Sequence, residues 1–199
     1  MNIGAIILAA GSSSRMGRTK QLIAVGGQSL VRRAATAAID GGCDPVTVVT
    51  GSHEAEVVEA LKGLHARIAT NAAWELGMGT SLRAGLADLR AADPDLSAAA
   101  VILCDQPNIS ADLIHRLLNA FTIGGKPMAA CEYAGTIGPP CCFDRSMFQS
   151  LAEIADSHGA KNVLLSRPAD VMHVPWEEGS VDLDTEEDCR SFFNSMNDN

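Results

Sequence analysis

The 199-residue chain is long enough for one α/β domain, 1–199, and short for two. Its formal net charge of −9 argues against non-specific binding to nucleic acid or to an anionic membrane. No apolar run reaches the roughly 18 residues of a membrane span, and Met1 to Gly4 lead straight into the first strand without a charged, cleavable leader. The chain therefore reads as cytoplasmic. Hydrophobic residues make up 47% and aromatics 4%, so the core should be aliphatic. None of the six cysteines forms a C-x-x-C pair, and buried, reduced thiols are expected.

The first element is the apolar, β-branched run Ile3 to Leu8, a strand buried on both faces. It breaks into Ala9, Ala10 and Gly11, which have no side chain to keep a ligand off the backbone. Ser12 to Ser14 add hydroxyls and amides, and Arg15, Arg18 and Lys20 add positive charge. Amides, guanidinium and ammonium at the carboxyl end of a first strand suit a polyphosphate. The spacing is not that of a Walker A loop, because Gly11 and Gly17 are separated by five residues, not four, and Gly17 is followed by Arg18-Thr19-Lys20. Nor is it a dinucleotide fingerprint, since Ser13 stands where the second glycine belongs.

Ser29 is a good N-cap for a helix to Asp40, ended by Gly41-Gly42. Val46 to Thr50 is the second strand, and Gly51-Ser52-His53 after it forms a second small-residue loop. His53 could touch a ligand there. A helix from Glu54 to Lys62 and a strand from Arg67 to Thr70 follow. In Gly77-Met78-Gly79-Thr80-Ser81, the glycines free the backbone, and Thr80 or Ser81 can cap a helix with Leu82, Leu86 and Leu89 on one face. Ala98 to Leu103 is a buried strand running into Cys104-Asp105-Gln106-Pro107. An acid directly after a fully apolar strand points to chemistry at Asp105.

Ser110 should cap a helix to Phe121. Lys126 to Tyr133 and Ile137 to Phe143 read as strands, the second carrying Gly138-Pro139-Pro140 and so suited to an edge or a bulge. Asp144 to Ala155 reads as helical, Lys161 to Leu165 as a helical turn and Val171 to Val174 as a late strand. A last helix runs from Thr185 to Phe193, with a frayed tail beyond. Strand and helix alternate up to Phe121 and less regularly after Gly124. This predicts a doubly wound, mostly parallel, Rossmann-like α/β sheet with a mixed C-terminal part.

The pattern L-A-A-G-x-S-x-R-M-G-x-x-K, followed by Gln21-Leu22, resembles the signature loop of nucleotidyltransferases. It looks most like the MobA/MocA branch and, within it, the molybdenum cofactor cytidylyltransferases. The resemblance implies a nucleotide-diphospho-sugar transferase type of fold and a Mg²⁺-dependent transfer of a nucleoside monophosphate to a phosphorylated acceptor, with release of pyrophosphate. It implies Arg15 and Lys20 as catalytic charges. Leu8, Ala9, Ala10, Gly11, Ser12, Lys20, Gly51, Gly79, Thr80 and Ser81 are then expected around the nucleotide.

Mg²⁺ favours one or two carboxylates with phosphate oxygens and water. Asp105 matches the strand-end metal ligand of the family. Asp182-Leu183-Asp184-Thr185 resembles its late D-I-D-T-P-E-D segment, with Glu186 in place of the proline. Asp182 and Asp184 alternate along an extended segment, so one should face the metal. Asp182 is slightly preferred, because Asp184 could instead cap the last helix. Gly138, Pro139 and Pro140 match a segment that lines the acceptor side in relatives, and Lys161 lies near a basic residue there.

Ala10 and Lys20-Gln21-Leu22 side with CTP as donor. The acceptor implied is molybdopterin in its metal-loaded form, with a molybdoenzyme or chaperone as an eventual partner. The same chemistry on a sugar or polyol phosphate, and a nucleotide-binding accessory protein without turnover, remain alternative readings.

Overall fold

In the computed structural model the described residues are 1–12 and 19–197. The core is a seven-stranded sheet. Its strands are β1 (Ile3–Leu8), β4 (Val46–Thr50), β5 (Arg67–Thr70), β6 (Ala98–Leu103), β7 (Met128–Tyr133), β8 (Thr136–Asp144) and β9 (Val171–Pro175). A separate two-stranded ribbon pairs β2 (Ala24–Val25) with β3 (Gln28–Ser29). The sheet order is β5-β4-β1-β6-β8-β7-β9. β5, β4, β1 and β6 are mutually parallel, β8 runs antiparallel to β6 and β7, and β9 is parallel to β7. This is the α/β sheet the alternation predicts, parallel up to β6 and mixed beyond it.

The helices are α1 (Leu30–Asp40), α2 (Glu54–Ala60), α3 (Met78–Ala92), α4 (Ala111–Gly124), α5 (Phe148–Ala152), α6 (Ala160–Ser166) and α7 (Glu186–Asn197). Side chains of β1 alternate between two cores. Ile3, Ala5 and Ile7 pack with α1 and α4, whereas Ile6 and Leu8 pack with α3, α5 and α6. Burial on both faces is the reason β1 reads as an unbroken apolar run. Ser29 and Ser110 cap α1 and α4 as expected, their hydroxyls accepting from the N–H groups of Arg32 and Leu113.

Several boundaries differ from the sequence reading. β8 is an interior strand, not an edge. It tolerates its prolines because the register against β7 jumps there: Ala130 faces Cys141 and Cys131 faces Gly138. Pro139 and Pro140 form the bulge and give no ladder hydrogen bond. α3 begins at Met78 with Gly77 as N-cap, so Thr80 and Ser81 lie inside its first turn instead of capping it. The segment after Asp144 is a short 3₁₀ turn followed by α5, which ends at Ala152. α2 stops at Ala60, and α7 continues to Asn197.

Asp88 on α3 holds the helix to two strands. Its carboxylate accepts from Thr47 Oγ1 on β4 at 2.8 Å and from Arg67 Nε and Nη2 on β5 at 2.8 and 3.0 Å. The Arg67 hydrogen bonds hold the Asp88 carboxyl below the usual carboxylate range. A lowered folded-state pKa gives stability that is present above the ordinary carboxylate pKa and is lost as pH falls through the folded value. Asp88→Asn should therefore cost about 1 kcal/mol at pH 7 for this half-exposed pair. In urea unfolding the gap between parent and variant should narrow below about pH 4.

Candidate active site

The carboxyl ends of β1 and β6 and the start of α3 enclose a cavity of about 250 Å³. Leu8, Ala10, Gly11, Lys20, Ser81 and Asp105, all expected around a nucleotide or its metal, line it. So do Gln21, Trp74, Gly77, Met78, Leu103 and Cys104. Burial pushes the Cys104 thiol up to about 12. It therefore stays protonated at neutral pH and acts as wall, not nucleophile.

The loop after β1 is tied down through its carbonyls. Gln21, almost fully buried, donates from Nε2 to Ala9 O at 3.1 Å and to Gly11 O at 2.6 Å. Ser52 donates from its N–H to Ala10 O at 3.4 Å and from Oγ to Gly11 O at 3.2 Å. In each of these peptide units the N–H points opposite to the carbonyl. The amides of Ala10, Gly11 and Ser12 thus carry the positive ends of dipoles that suit an anion.

Lys20 is the centre of the charged cluster. Its Nζ donates to Asp105 Oδ2 at 2.7 Å and to Asp184 Oδ1 at 2.6 Å, with the Lys20 and Asp105 side chains each 18% exposed. Burial alone would lower the Lys20 pKa. The charge and hydrogen bond of Asp105, then those of Asp184, outweigh it and hold the ammonium protonated. Asp105 Oδ1 is buried and accepts no hydrogen bond among the described residues. Asp182 lies close enough that partial burial first, then the charges of Asp105 and Asp184, push its carboxyl up to about 6.

Asp184 does not cap α7. Thr185 does: its Oγ1 accepts from the Asp188 N–H at 3.1 Å, and Asp188 Oδ2 accepts from the Thr185 N–H at 2.7 Å, a reciprocal capping arrangement. That leaves the Asp184 carboxylate to Lys20. The segment is anchored by Leu183, whose N–H donates to Asp105 O at 3.0 Å and whose side chain is fully buried beside Ile23, Val25 and Leu30. The leucine thus ties the late segment to residues more than 150 positions earlier in the chain.

Of the other expected residues, several of those described stand back from the cavity. Arg15 lies outside the described residues. Gly51 packs its Cα against Ala10 O and the Trp74 ring, and Gly79 packs against the backbone of Ala155 and Asp156. The Thr80 hydroxyl donates within its own turn and accepts from Asn71 Nδ2 at 2.8 Å. Asn71 also donates to Ser81 Oγ at 2.9 Å, which fixes the cavity-facing hydroxyl. His53 is the N-cap residue of α2 and is 3.9 Å from Glu56.

The bulge Gly138-Pro139-Pro140 is buried and joined to the strand-end loop. Pro139 O accepts from Gln106 Nε2 at 3.2 Å and from the Tyr133 hydroxyl at 3.0 Å. Lys161, at the start of α6, passes near Gly138.

Trp74, Met78 and Asn71 were not singled out as functional in the sequence. Trp74 comes from a 3₁₀ turn, Met78 from a helix start and Asn71 from the loop after β5, all placed by the packing of α3 against β1, β4 and β5. Gln21 stood in the signature loop, but its task of holding loop carbonyls was not legible there.

A cation can be held where Asp105 and Asp184 converge. The unpartnered Asp105 Oδ1 and the proximity of Asp182 supply the hard oxygen donors that Mg²⁺ or Mn²⁺ prefers. Among the described residues no group of three His, Cys, Asp or Glu forms a closed metal cage. An open site completed by phosphate oxygens and water fits that donor set.

Residues 5–171 match the family model described as MobA-like NTP transferase domain. The chain is 32% identical over 192 residues to nicotine blue oxidoreductase of Paenarthrobacter nicotinovorans, covering 92% of each. Its structure is similar to that of Rv0371c from Mycobacterium tuberculosis H37Rv, with a TM-score of 0.81, 25% identity and coverage of 98% of this chain and 99% of the other. It is also similar to the complex of Rv0371c with manganese, with a TM-score of 0.75, 25% identity and coverage of 98% and 100%.

Proposed function

The chain belongs to the MobA-like NTP transferase family, and from that premise we propose that it is a cytoplasmic, Mg²⁺-dependent cytidylyltransferase acting on a phosphorylated acceptor, molybdenum cofactor. The observation that carries the reading is the convergence of Lys20, Asp105 and Asp184 beside a cavity built by the loop after β1.

In the reaction a phosphate oxygen of the acceptor attacks the α-phosphorus of the NTP. The new P–O bond forms as the bond to the β-phosphate oxygen breaks, and the electron pair leaves with pyrophosphate. An acceptor that is already a phosphate is a competent nucleophile and needs no general base. The protein's work is alignment and countercharge. The amides after β1 receive the phosphates, and the Lys20 ammonium, held protonated, meets the charge on the α-phosphate. Arg15 would add a second cation. A bound Mg²⁺ would neutralise phosphate charge and orient the α-phosphate, held by Asp105 with Asp182 or Asp184.

Trp74, Leu8, Ala10 and the start of α3 enclose the end of the cavity where the base would lie. CTP as donor rests on Ala10 and on Lys20-Gln21-Leu22. Gly138, Pro139, Pro140 and Lys161 would face the acceptor.

A second reading is an oxidoreductase using the same cavity, which the 32% identity to nicotine blue oxidoreductase favours. One assay separates the two. Pyrophosphate release is measured with CTP, GTP, ATP and UTP plus Mg²⁺, with and without molybdenum cofactor. The expected result is release with CTP that depends on the cofactor. Nucleotide binding without release under any phosphorylated acceptor, sugar phosphates included, would overturn the transferase reading.

A further inference from the structure

We propose that Lys20 is an internal competitor for the cation site, so that the divalent metal binds weakly until a nucleoside triphosphate draws the ammonium away. The inference rests on the reading that this site takes a metal with its NTP. The geometry behind it is local. The Lys20 ammonium sits 2.7 Å from Asp105 and 2.6 Å from Asp184, the two carboxylates that converge on the same space. A dication held by those oxygens would stand within contact distance of the ammonium, and two cations cannot share that space in a partly buried site.

The lysine is built to move while its backbone stays. Its main chain lies in a 3₁₀ turn closed by Leu22 N–H to Thr19 O and Ile23 N–H to Lys20 O, at 3.0 and 3.1 Å. The next residue, Gln21, clamps that turn to the carbonyls of Ala9 and Gly11. The side chain itself is a flexible four-carbon stem, and it lines the cavity together with Gly11 and Ser81. Phosphates entering that cavity, with more negative charge than the two carboxylates together, offer the ammonium another partner. As it turns toward them, Asp105 and Asp184 regain their charge for the metal, and the buried Asp105 Oδ1, without a hydrogen-bond partner among the described residues, gains one.

Binding of NTP and of metal is thus coupled through one side chain, and the coupling is reciprocal. Part of any cooperativity comes from the phosphates chelating the metal directly. The part due to Lys20 is read from metal binding in the absence of nucleotide.

The test is Mn²⁺ titration of the full chain, followed by the loss of the free-ion electron paramagnetic resonance signal. The proteins are the parent, Lys20→Met, Lys20→Gln and Lys20→Arg, each with and without the α,β-methylene analogue of CTP. Lys20→Gln keeps a polar, neutral side chain of similar reach, in case the methionine variant does not fold. Without nucleotide, the two neutral variants should bind Mn²⁺ at least tenfold more tightly than the parent, and Lys20→Arg should stay within about threefold of it. With the analogue, the parent's affinity should rise by a larger factor than that of either neutral variant. Equal Mn²⁺ affinity in parent and neutral variants, with binding intact, overturns the competition and leaves the transferase reading standing. Absence of Mn²⁺ binding in every protein, with or without analogue, overturns both.

Discussion

Asp105→Asn should lower pyrophosphate release about 10²–10³-fold while shifting the melting temperature by no more than about 2 °C. The two expectations follow from different atoms. The charge lost is the one that Lys20 meets at 2.7 Å and whose second oxygen is buried without a partner. A neutral amide supplies neither countercharge for the ammonium nor a hard anionic ligand for a dication. The fold loses little. Lys20 keeps its 2.6 Å contact with Asp184, and the hydrogen bond that anchors the late segment goes to the Asp105 carbonyl, which the substitution leaves in place. Removing one of three clustered carboxylates also relieves repulsion, which offsets the lost ion pair. Steady-state kinetics and thermal denaturation on the same preparation decide it. Retained turnover would remove Asp105 from the reacting site. A joint fall in activity and melting temperature would make it a structural residue.

Gly79→Ala is the second large effect, and it falls on stability. A Cβ at this position would stand 2.2 Å from Ala155 O, 3.0 Å from Ala155 C and 3.1 Å from Asp156 O. All three are backbone atoms, so no rotamer change relieves the clash. The Gly79 N–H already donates to Asp156 O at 2.9 Å, which fixes how closely the two segments approach. The added methyl must push the start of α3 away from the loop after α5. The expected cost is roughly 3 kcal/mol, or about 6–12 °C in melting temperature for a chain of this size. Gly79 does not line the cavity. Nucleotide affinity of the folded variant, measured at low temperature, should stay within about threefold of the parent. An unchanged melting temperature with lost nucleotide binding would instead make Gly79 a ligand contact.

The two positions differ in how local their sequence signals are. Asp105 was legible because an acid after six apolar residues is chemically out of place, and such a signal is local. Gly79 was legible only as a glycine in a glycine-rich segment. Whether it leaves room for a ligand or for another part of the chain depends on Ala155 and Asp156, more than 70 residues away. Asp184 shows the same limit from the other side. Its sequence suits both an N-cap and a metal ligand. The choice falls on Thr185 and Asp188, which close the cap between themselves and release Asp184 to Lys20.

The sequence by itself determined the parallel half of the sheet, the buried character of β1 and β6, the caps of α1 and α4, and the loop that carries the charge. Each is set by interactions between residues near one another in the chain: periodicity, capping and the small residues after a strand. Only the tertiary structure decided that β8 lies inside the sheet, that Pro139 and Pro140 occupy a bulge, and that Gln21 holds the carbonyls of the loop after β1. It alone placed Trp74 and Met78 on the cavity wall and brought Asp184 to Lys20 across 164 residues. The physical reason is common to all of them. These positions are fixed by packing and hydrogen bonds between segments distant in sequence, and the side-chain burial that selects one arrangement exists only once the sheet has assembled.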